Sequence, residues 1–242
     1  MENIVVFSGA GMSAESGLST FRDGNGLWDK FPIEEVATPE AWHKDKEKVL
    51  QFYRIRMENC VNANPNLAHK IIFEFEEKYN VQIVTQNIDN LHERAGSTNV
   101  LHLHGEIMKV RSCGTGLTYP IKDNKYPSLG DYCPEGHQLR PDVVWFGEDV
   151  PNLLKGAEIV KNADILIIIG TSLQVYPAAT LIHYTKEECT VYIVDPNTIP
   201  KLDSHIHLKM NASEGLKKLK GELMKYNNFC LLYTSPSPRD SI

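Results

Sequence analysis

The chain has 242 residues, with 25 Lys+Arg against 31 Asp+Glu, a formal charge of −6, and 42% hydrophobic against 23% charged positions. This is ordinary globular composition, long enough to bury a full core. Its longest strictly apolar run, Ile165 to Ile169, is five residues against the roughly 20 that cross a bilayer, and the short, acidic Met1-Glu2-Asn3 start is not expected to act as a secretory signal. A net negative balance with no Lys/Arg block argues against a nucleic-acid surface. A cytoplasmic, monomeric protein with neither membrane nor nucleic acid as partner is expected.

Short β-branched runs are expected as strands at Ile4 to Phe7, Val81 to Thr85, Val100 to His104, Ile165 to Ile169 and Thr190 to Val194. Helices are expected between and after them, at Glu40 to Cys60, Asn66 to Lys78, Asn152 to Asn162, Ala178 to Glu187 and Ser213 to Tyr226, with Pro39 and Pro65 as start signals. This alternation predicts an α/β fold, a Rossmann-like parallel sheet with helices on both faces. Two stretches fit the sheet pattern poorly, about 24–65 and 108–142. They read as insertions forming a small module, held together by packing of Tyr119, Tyr126 and Tyr132. One domain over 1–228 is expected. Residues 229–242, with two Ser-Pro steps and no periodicity, read as a disordered, non-native tail resembling a translated library adapter.

After the first strand comes Gly9-Ala10-Gly11-Met12-Ser13-Ala14-Glu15-Ser16-Gly17, with Phe21-Arg22-Asp23 behind it. A glycine loop leaving a strand lets backbone N–H groups approach a diphosphate, although a tight turn would explain it equally. Three further segments point to the same sheet edge. Gln86-Asn87-Ile88-Asp89 follows the second strand and brings polar side chains able to orient a ribose or carboxamide. In Leu101-His102-Leu103-His104-Gly105, period-two alternation puts both histidines on one face and makes His104 a candidate general base. Gly170-Thr171-Ser172 ends the fourth strand with small hydroxyl residues.

Taken in order with Phe146-Gly147-Glu148, these motifs resemble the sirtuins, NAD-dependent protein lysine deacylases, over about residues 4–220. The resemblance implies that NAD is the cofactor, lying over Gly9, Ala10 and Gly11, with Glu15 close by and Phe21 and Arg22 in a loop closing on the nicotinamide ribose. Gln86, Asn87 and Asp89 would line the nicotinamide pocket, and Gly170, Thr171 and Ser172 would face the cofactor. It also implies that an acyl-lysine oxygen attacks the anomeric carbon as nicotinamide departs, with His104 and Asn87 catalytic and O-acyl-ADP-ribose the second product. Acylated lysines of proteins are the implied partners, gripped by Val144, Phe146, Gly147 and Glu148 on one side and Val175 on the other, by strand addition.

Tyr53 and Arg56 stand at i and i+3 after Ala37-Thr38-Pro39. In sirtuins whose loop reads Ala-Thr-Pro, such a pair resembles the feature that holds succinyl and malonyl carboxylates; taken alone, a Tyr-x-x-Arg pair reads as a solvated helix face with a core Tyr. Arginine can grip a carboxylate through two charge-assisted bonds, and Tyr adds a donor; Arg54 is expected to turn away.

The chain departs from the family in two places. Of the usual four zinc cysteines only Cys113 and Cys133 remain, with Gly116 and Gly136 at the other positions. Structural zinc is doubted on that ligand count and no metal site is assigned. After the fifth strand, Asp195 lacks the Asn that usually precedes it, so it and Ala212 carry the adenosine contacts weakly. A mono-ADP-ribosyltransferase and a noncatalytic NAD-responsive module are the alternatives.

Overall fold

The computed structural model describes residues 1–20, 30–123, 125–199 and 205–233, with side chains described through 224. The first strand, β1 (Asn3–Ser8), runs parallel between β2 (Asn80–Thr85) and β7 (Ile165–Ile169). Beyond β2 lies β3 (Val100–His102), and beyond β7 come β8 (Thr190–Val194) and β9 (Ile206–Leu208), all parallel, in the order β3-β2-β1-β7-β8-β9. The early strands extend the sheet one way from β1 and the late strands the other, so the order reverses between β1 and β7. The carboxyl ends at such a reversal leave the crevice where ligands bind.

Alternation along β1 divides the core. Ile4 and Val6 pack on one face against α5 (Leu67–Phe75) and α8 (Ala212–Tyr233). Val5 and Phe7 pack on the other against α7 (Leu153–Lys161), which follows the short α6 (Leu91–Ala95) in the chain, and a 3₁₀ helix (Ala178–Tyr184). Ile165–Ile169 is wholly buried, as an unbroken apolar strand covered on both faces must be.

The small module gathers around a third cluster. It contains α2 (Ile33–Val36), α3 (Pro39–Lys44), α4 (Lys46–Asn62) and an antiparallel sheet of β4 (Gly105–Ser112), β5 (Thr118–Pro120) and β6 (Leu139–Val143), in the order β5-β4-β6. Val49, Phe52, Tyr53, Met57, Ile107, Val143 and Trp145 are buried together there.

Several expectations are corrected. The single helix expected over Glu40 to Cys60 is two, because Asp45 leaves helical geometry (φ −152°, ψ 83°) and caps α4 by accepting from the Lys48 N–H. The helix expected at Ala178 to Glu187 is a 3₁₀ helix ending at Tyr184. The strand expected through His104 stops at His102, so alternation does not reach the second histidine. Met108 to Asp142, read as lacking periodicity, holds most of a sheet whose register is interrupted between Gly105 and Val110, and such a bulge hides the period of two. Tyr126 packs on the module core, whereas Tyr132 is 61% exposed and contributes a backbone bridge to Gln138 in place of the expected ring packing. The closing helix runs to Tyr233, past the expected start of the tail at 229, since the first Pro breaker is Pro236.

Candidate functional site

Gly9 and Gly11 follow β1 directly and pack against the turn that ends β7. A Cβ on Gly9 would stand 2.7 Å from Thr171 Cβ, and one on Gly11 would stand 2.8 Å from Gly170 Cα. Gly170 itself has φ +60°, and its Cβ would meet the Met12 nitrogen at 2.2 Å. The fold therefore requires these glycines for its own close packing, whatever binds above them. The Gly9 and Gly11 N–H groups donate to Ile169 and Gly170, which ties the loop to the strand-end crevice. Ala10 begins the short α1 (Gly11–Ala14) as its N-cap.

A buried polar chain lies beneath this loop. The Asn87 amide donates to Gly9 O (3.0 Å) and Ser13 Oγ (3.2 Å). Both N–H bonds are thereby used, and Oδ1 is left to accept from a ligand. Ser13 in turn donates to Asp89 Oδ2 (3.0 Å), and Leu91 N–H donates to Asp89 Oδ1 (3.2 Å). Burial raises the Asp89 carboxyl pKa above its ordinary value, with these two donors acting against it. Thr85 Oγ1 accepts from the Asn87 N–H and from Ser8, whose oxygen also meets His92 Nε2 at 3.1 Å. Sequence reasoning left Ser8, Ser13 and Thr85 out of the site. Ser13, inside the glycine motif, was the one with a visible signal.

His104 Nδ1 lies 3.0 Å from the Gln86 carbonyl. A carbonyl only accepts, so Nδ1 carries the proton and Nε2 of the neutral ring presents a lone pair. Burial lowers the His104 pKa below the ordinary histidine value, with the Gln86 contact opposing, which favours that neutral form. His102 does not join it as a second free base. Its Nδ1 meets Asn87 O (2.8 Å) and its Nε2 pairs with Glu93 (2.8 Å).

The remaining residues fall around the same rim. Gln86 Nε2 donates to Thr171 Oγ1 at 3.0 Å, joining the ends of β2 and β7; Ser172 follows Thr171 in that turn. Glu15 accepts from the Ser213 N–H (3.1 Å) beside buried Ala212. Asp195, at the end of β8, caps its own turn by accepting from the Asn197 N–H (2.8 Å). Phe21 and Arg22 lie outside the described residues.

The segment after β6 is tied to both sides of the site. Val144 N–H donates to His104 O (2.9 Å), and Phe146 N–H donates to Ala37 O (3.0 Å). Phe146 and Gly147 are exposed, and Val175 is half-buried. The Glu148 carboxylate is turned inward. Arg140 donates to both its oxygens at 2.8 Å, and the Trp145 N–H donates to Oε2, so any peptide contact from Glu148 comes from its backbone.

Tyr53 is buried at 2% exposure, its hydroxyl oxygen accepting from Trp145 Nε1 at 3.0 Å. Burial pushes its phenol up to about 12 against the lowering charge of Arg56. The Arg56 charge also lowers the pKa of Asp89, so its field spans the module core and the Asn87 cluster. Arg54 turns out to Ser128 Oγ (2.8 Å), as expected.

Around Cys113 and Cys133 the neighbouring groups engage one another. A Cβ on Gly114 would lie 2.3 Å from the His137 ring, so that ring packs flat on the first knuckle. Cys133 Sγ is engaged by Ser112 Oγ (3.3 Å) and the His137 N–H (3.4 Å). Among the described residues no three His, Cys, Asp or Glu side chains are grouped to hold a metal, and no helix is long and apolar enough to cross a membrane.

A model of the Sir2 family matches residues 9–177. An NAD-dependent protein deacylase of Bacteroides thetaiotaomicron is 48% identical over 229 residues, covering 91% of this chain and 97% of the relative. One from Helicobacter pylori is 50% identical over 213 residues, covering 88% and 90%. A Sir2 homologue–NAD complex superposes with a TM-score of 0.84 at 39% identity over 93% of this chain and 90% of that one. A Sir2 homologue bound to ADP-ribose does so with a TM-score of 0.84 at 37% identity over 97% and 95%. With a family model spanning most of the chain and relatives near half identity along almost all of it, the chain belongs to the Sir2 family.

Proposed function

We propose that the chain is an NAD-dependent protein-lysine deacylase whose preferred acyl groups end in a carboxylate, succinyl and malonyl before acetyl. One observation carries the deacylase reading. His104 has its Nδ1 proton fixed on Gln86 O, which leaves Nε2 as a base next to Gln86, whose side chain joins the ends of β2 and β7 at Thr171.

NAD bound there supplies an ADP-ribosyl acceptor for the acyl group, with nicotinamide as leaving group. The residues present suit it. The Gly9–Gly11 turn offers close backbone approach over the carboxyl ends of β1 and β7, Gln86, Thr171 and Ser172 rim the crevice, and Glu15, Asp195 and Ala212 stand toward its far end. Asn87 Oδ1 accepts from a carboxamide or an ordering water, with Asp89 linked to the Asn87 amide through Ser13. His104 Nε2 takes a proton from a ribose hydroxyl, a step that needs the imidazole neutral near pH 7. Val144, Phe146, Gly147 and Val175 hold the lysine-bearing peptide as an added strand.

For the acyl end, support comes from Tyr53 and Arg56 three residues apart on α4, close enough for the Arg56 charge to act on the Tyr53 phenol. The small module is metal-free in this reading, held by the His137 ring on Gly114 and by the Cys133 contacts.

Acetyl, malonyl and succinyl versions of one peptide, assayed side by side with NAD, test the proposal. Succinyl and malonyl turnover above acetyl is expected, with O-acyl-ADP-ribose as product. Acetyl at or above succinyl would refute the selectivity. A mass gain of ADP-ribose on protein would favour transfer over deacylation.

A further inference from the structure

We propose that Trp145 is a positioning residue that aims the Tyr53 hydroxyl proton at the acyl carboxylate, so that carboxylate selectivity depends on the indole N–H as well as on Tyr53 and Arg56. The inference rests on the acyl-carboxylate reading above and extends it to a residue that contributes through Tyr53 alone.

An indole carries one polar group. Its Nε1–H only donates, whereas a phenol hydroxyl both donates and accepts. At 3.0 Å from Trp145 Nε1, the Tyr53 oxygen must be the acceptor. A phenol O–H lies near the ring plane, so engaging one flank of the oxygen sends the proton to the other. Tyr53 makes no other hydrogen bond among the described residues. At 2% exposure, a phenol proton without an acceptor costs free energy until something brings one.

The indole is itself held from several directions. Its ring lies against Trp42 with centroids 5.6 Å apart, and Arg140 Cζ stands 3.4 Å from its centroid. Its backbone N–H donates to Glu148 Oε2 (2.8 Å), and the same carboxylate takes two bonds from Arg140. A guanidinium over the ring, a carboxylate on the backbone and a second indole alongside leave Nε1 little freedom. Trp145 also sits between Val144, bonded to His104 O, and Phe146, bonded to Ala37 O, so the donor is referenced to the reaction centre.

The chemistry predicts a selective effect. An acetyl group has no oxygen beyond its carbonyl, so the aimed proton meets nothing. A succinyl or malonyl chain brings an anionic oxygen that Arg56 attracts and the Tyr53 proton completes, and a site built to hydrogen-bond a group discriminates strongly against analogues lacking it.

A double-mutant cycle separates this role from packing. The ratio of succinyl to acetyl kcat/KM is measured for the wild type, Tyr53→Phe, Trp145→Phe and the double variant. Each single substitution is expected to lower the ratio roughly tenfold, as for a hydrogen bond to a charged group, chiefly through the succinyl KM. The double variant should lower it no further than Tyr53→Phe alone. Replacing Trp145 by benzothienylalanine, which keeps the bicyclic shape and lacks the N–H, should give the same result even if Trp145→Phe folds poorly. A ratio unmoved by Tyr53→Phe would sink the acyl-carboxylate reading itself. A ratio lowered by Tyr53→Phe but not by loss of the indole N–H, or lowered multiplicatively in the double variant, would leave that reading standing and overturn the role of Trp145.

Discussion

Gly105→Ala joins fold to site most directly. Gly105 opens β4 at φ +83°, immediately after His104, and an added Cβ would stand 2.1 Å from Asp142 O, 2.9 Å from Asp142 C and 3.1 Å from Val143 Cα. All three are backbone atoms of β6, so no side chain can swing aside. The left-handed conformation costs alanine about 1–2 kcal/mol and forced separation of packed elements about 1–3 kcal/mol, for a loss of roughly 2–5 kcal/mol. At about 2–4 °C per kcal/mol for a chain of this size, the melting temperature should fall by roughly 4–20 °C. Prising β4 from β6 also moves the bond between Val144 N–H and His104 O, and misplacement by about 1 Å can cost on the order of 100-fold in rate. Gly136→Ala is the matched control, because its φ is +80° with nothing within 4 Å of the added Cβ. Differential scanning fluorimetry with peptide deacylation measures both. Gly105→Ala melting within about 2 °C of Gly136→Ala, with equal activity, would refute the collision argument.

The other predictions concern proton, charge and metal. Because burial lowers the His104 pKa, the neutral base persists as pH falls, and the acid limb of kcat/KM should titrate below about 6.5; a midpoint above 7 would contradict it. His69 is lowered by burial to about 4 and His92 well below its ordinary value. The unfolded chain therefore binds protons on these groups before the folded one does, so stability should fall as pH drops from about 6.5 toward 4, read as melting temperature against pH. His69→Gln should flatten that slope, and an unchanged slope would count against it. Arg56→Met should reduce succinyl kcat/KM roughly 10- to 150-fold, the equivalent of about 1.5–3 kcal/mol for a charge-assisted bond, with a much smaller loss on acetyl; equal losses would argue for a structural role. Treatment with a strong chelator should leave the melting temperature unchanged, and elemental analysis showing one zinc per chain would overturn the metal-free module.

What the sequence made legible follows from how local the cause is. The parallel sheet was readable because runs such as Ile165–Ile169 state their burial in their own residues. The β4–β6 sheet was not, because its bulge breaks the alternation and Pro141 sits inside a strand. In the site, Gly9, Asn87 and His104 were visible as motifs at strand ends. The hydroxyls beneath them were not, since Ser8 meets Thr85 across 77 positions and Ser13 meets Asp89 across 76. Trp145 sat unnoticed in an apolar run because its role lies in one N–H aimed at a residue 92 positions away. The inward turn of Glu148 likewise depends on Arg140, which no local pattern reveals.

The most direct test of the whole account is the stoichiometry of nicotinamide release from NAD with succinylated and unmodified peptide. Release that requires the acyl group, equals the lysine freed mole for mole, and is lost in His104→Ala is the result expected. Release that ignores the peptide, or none from well-folded protein, would contradict it.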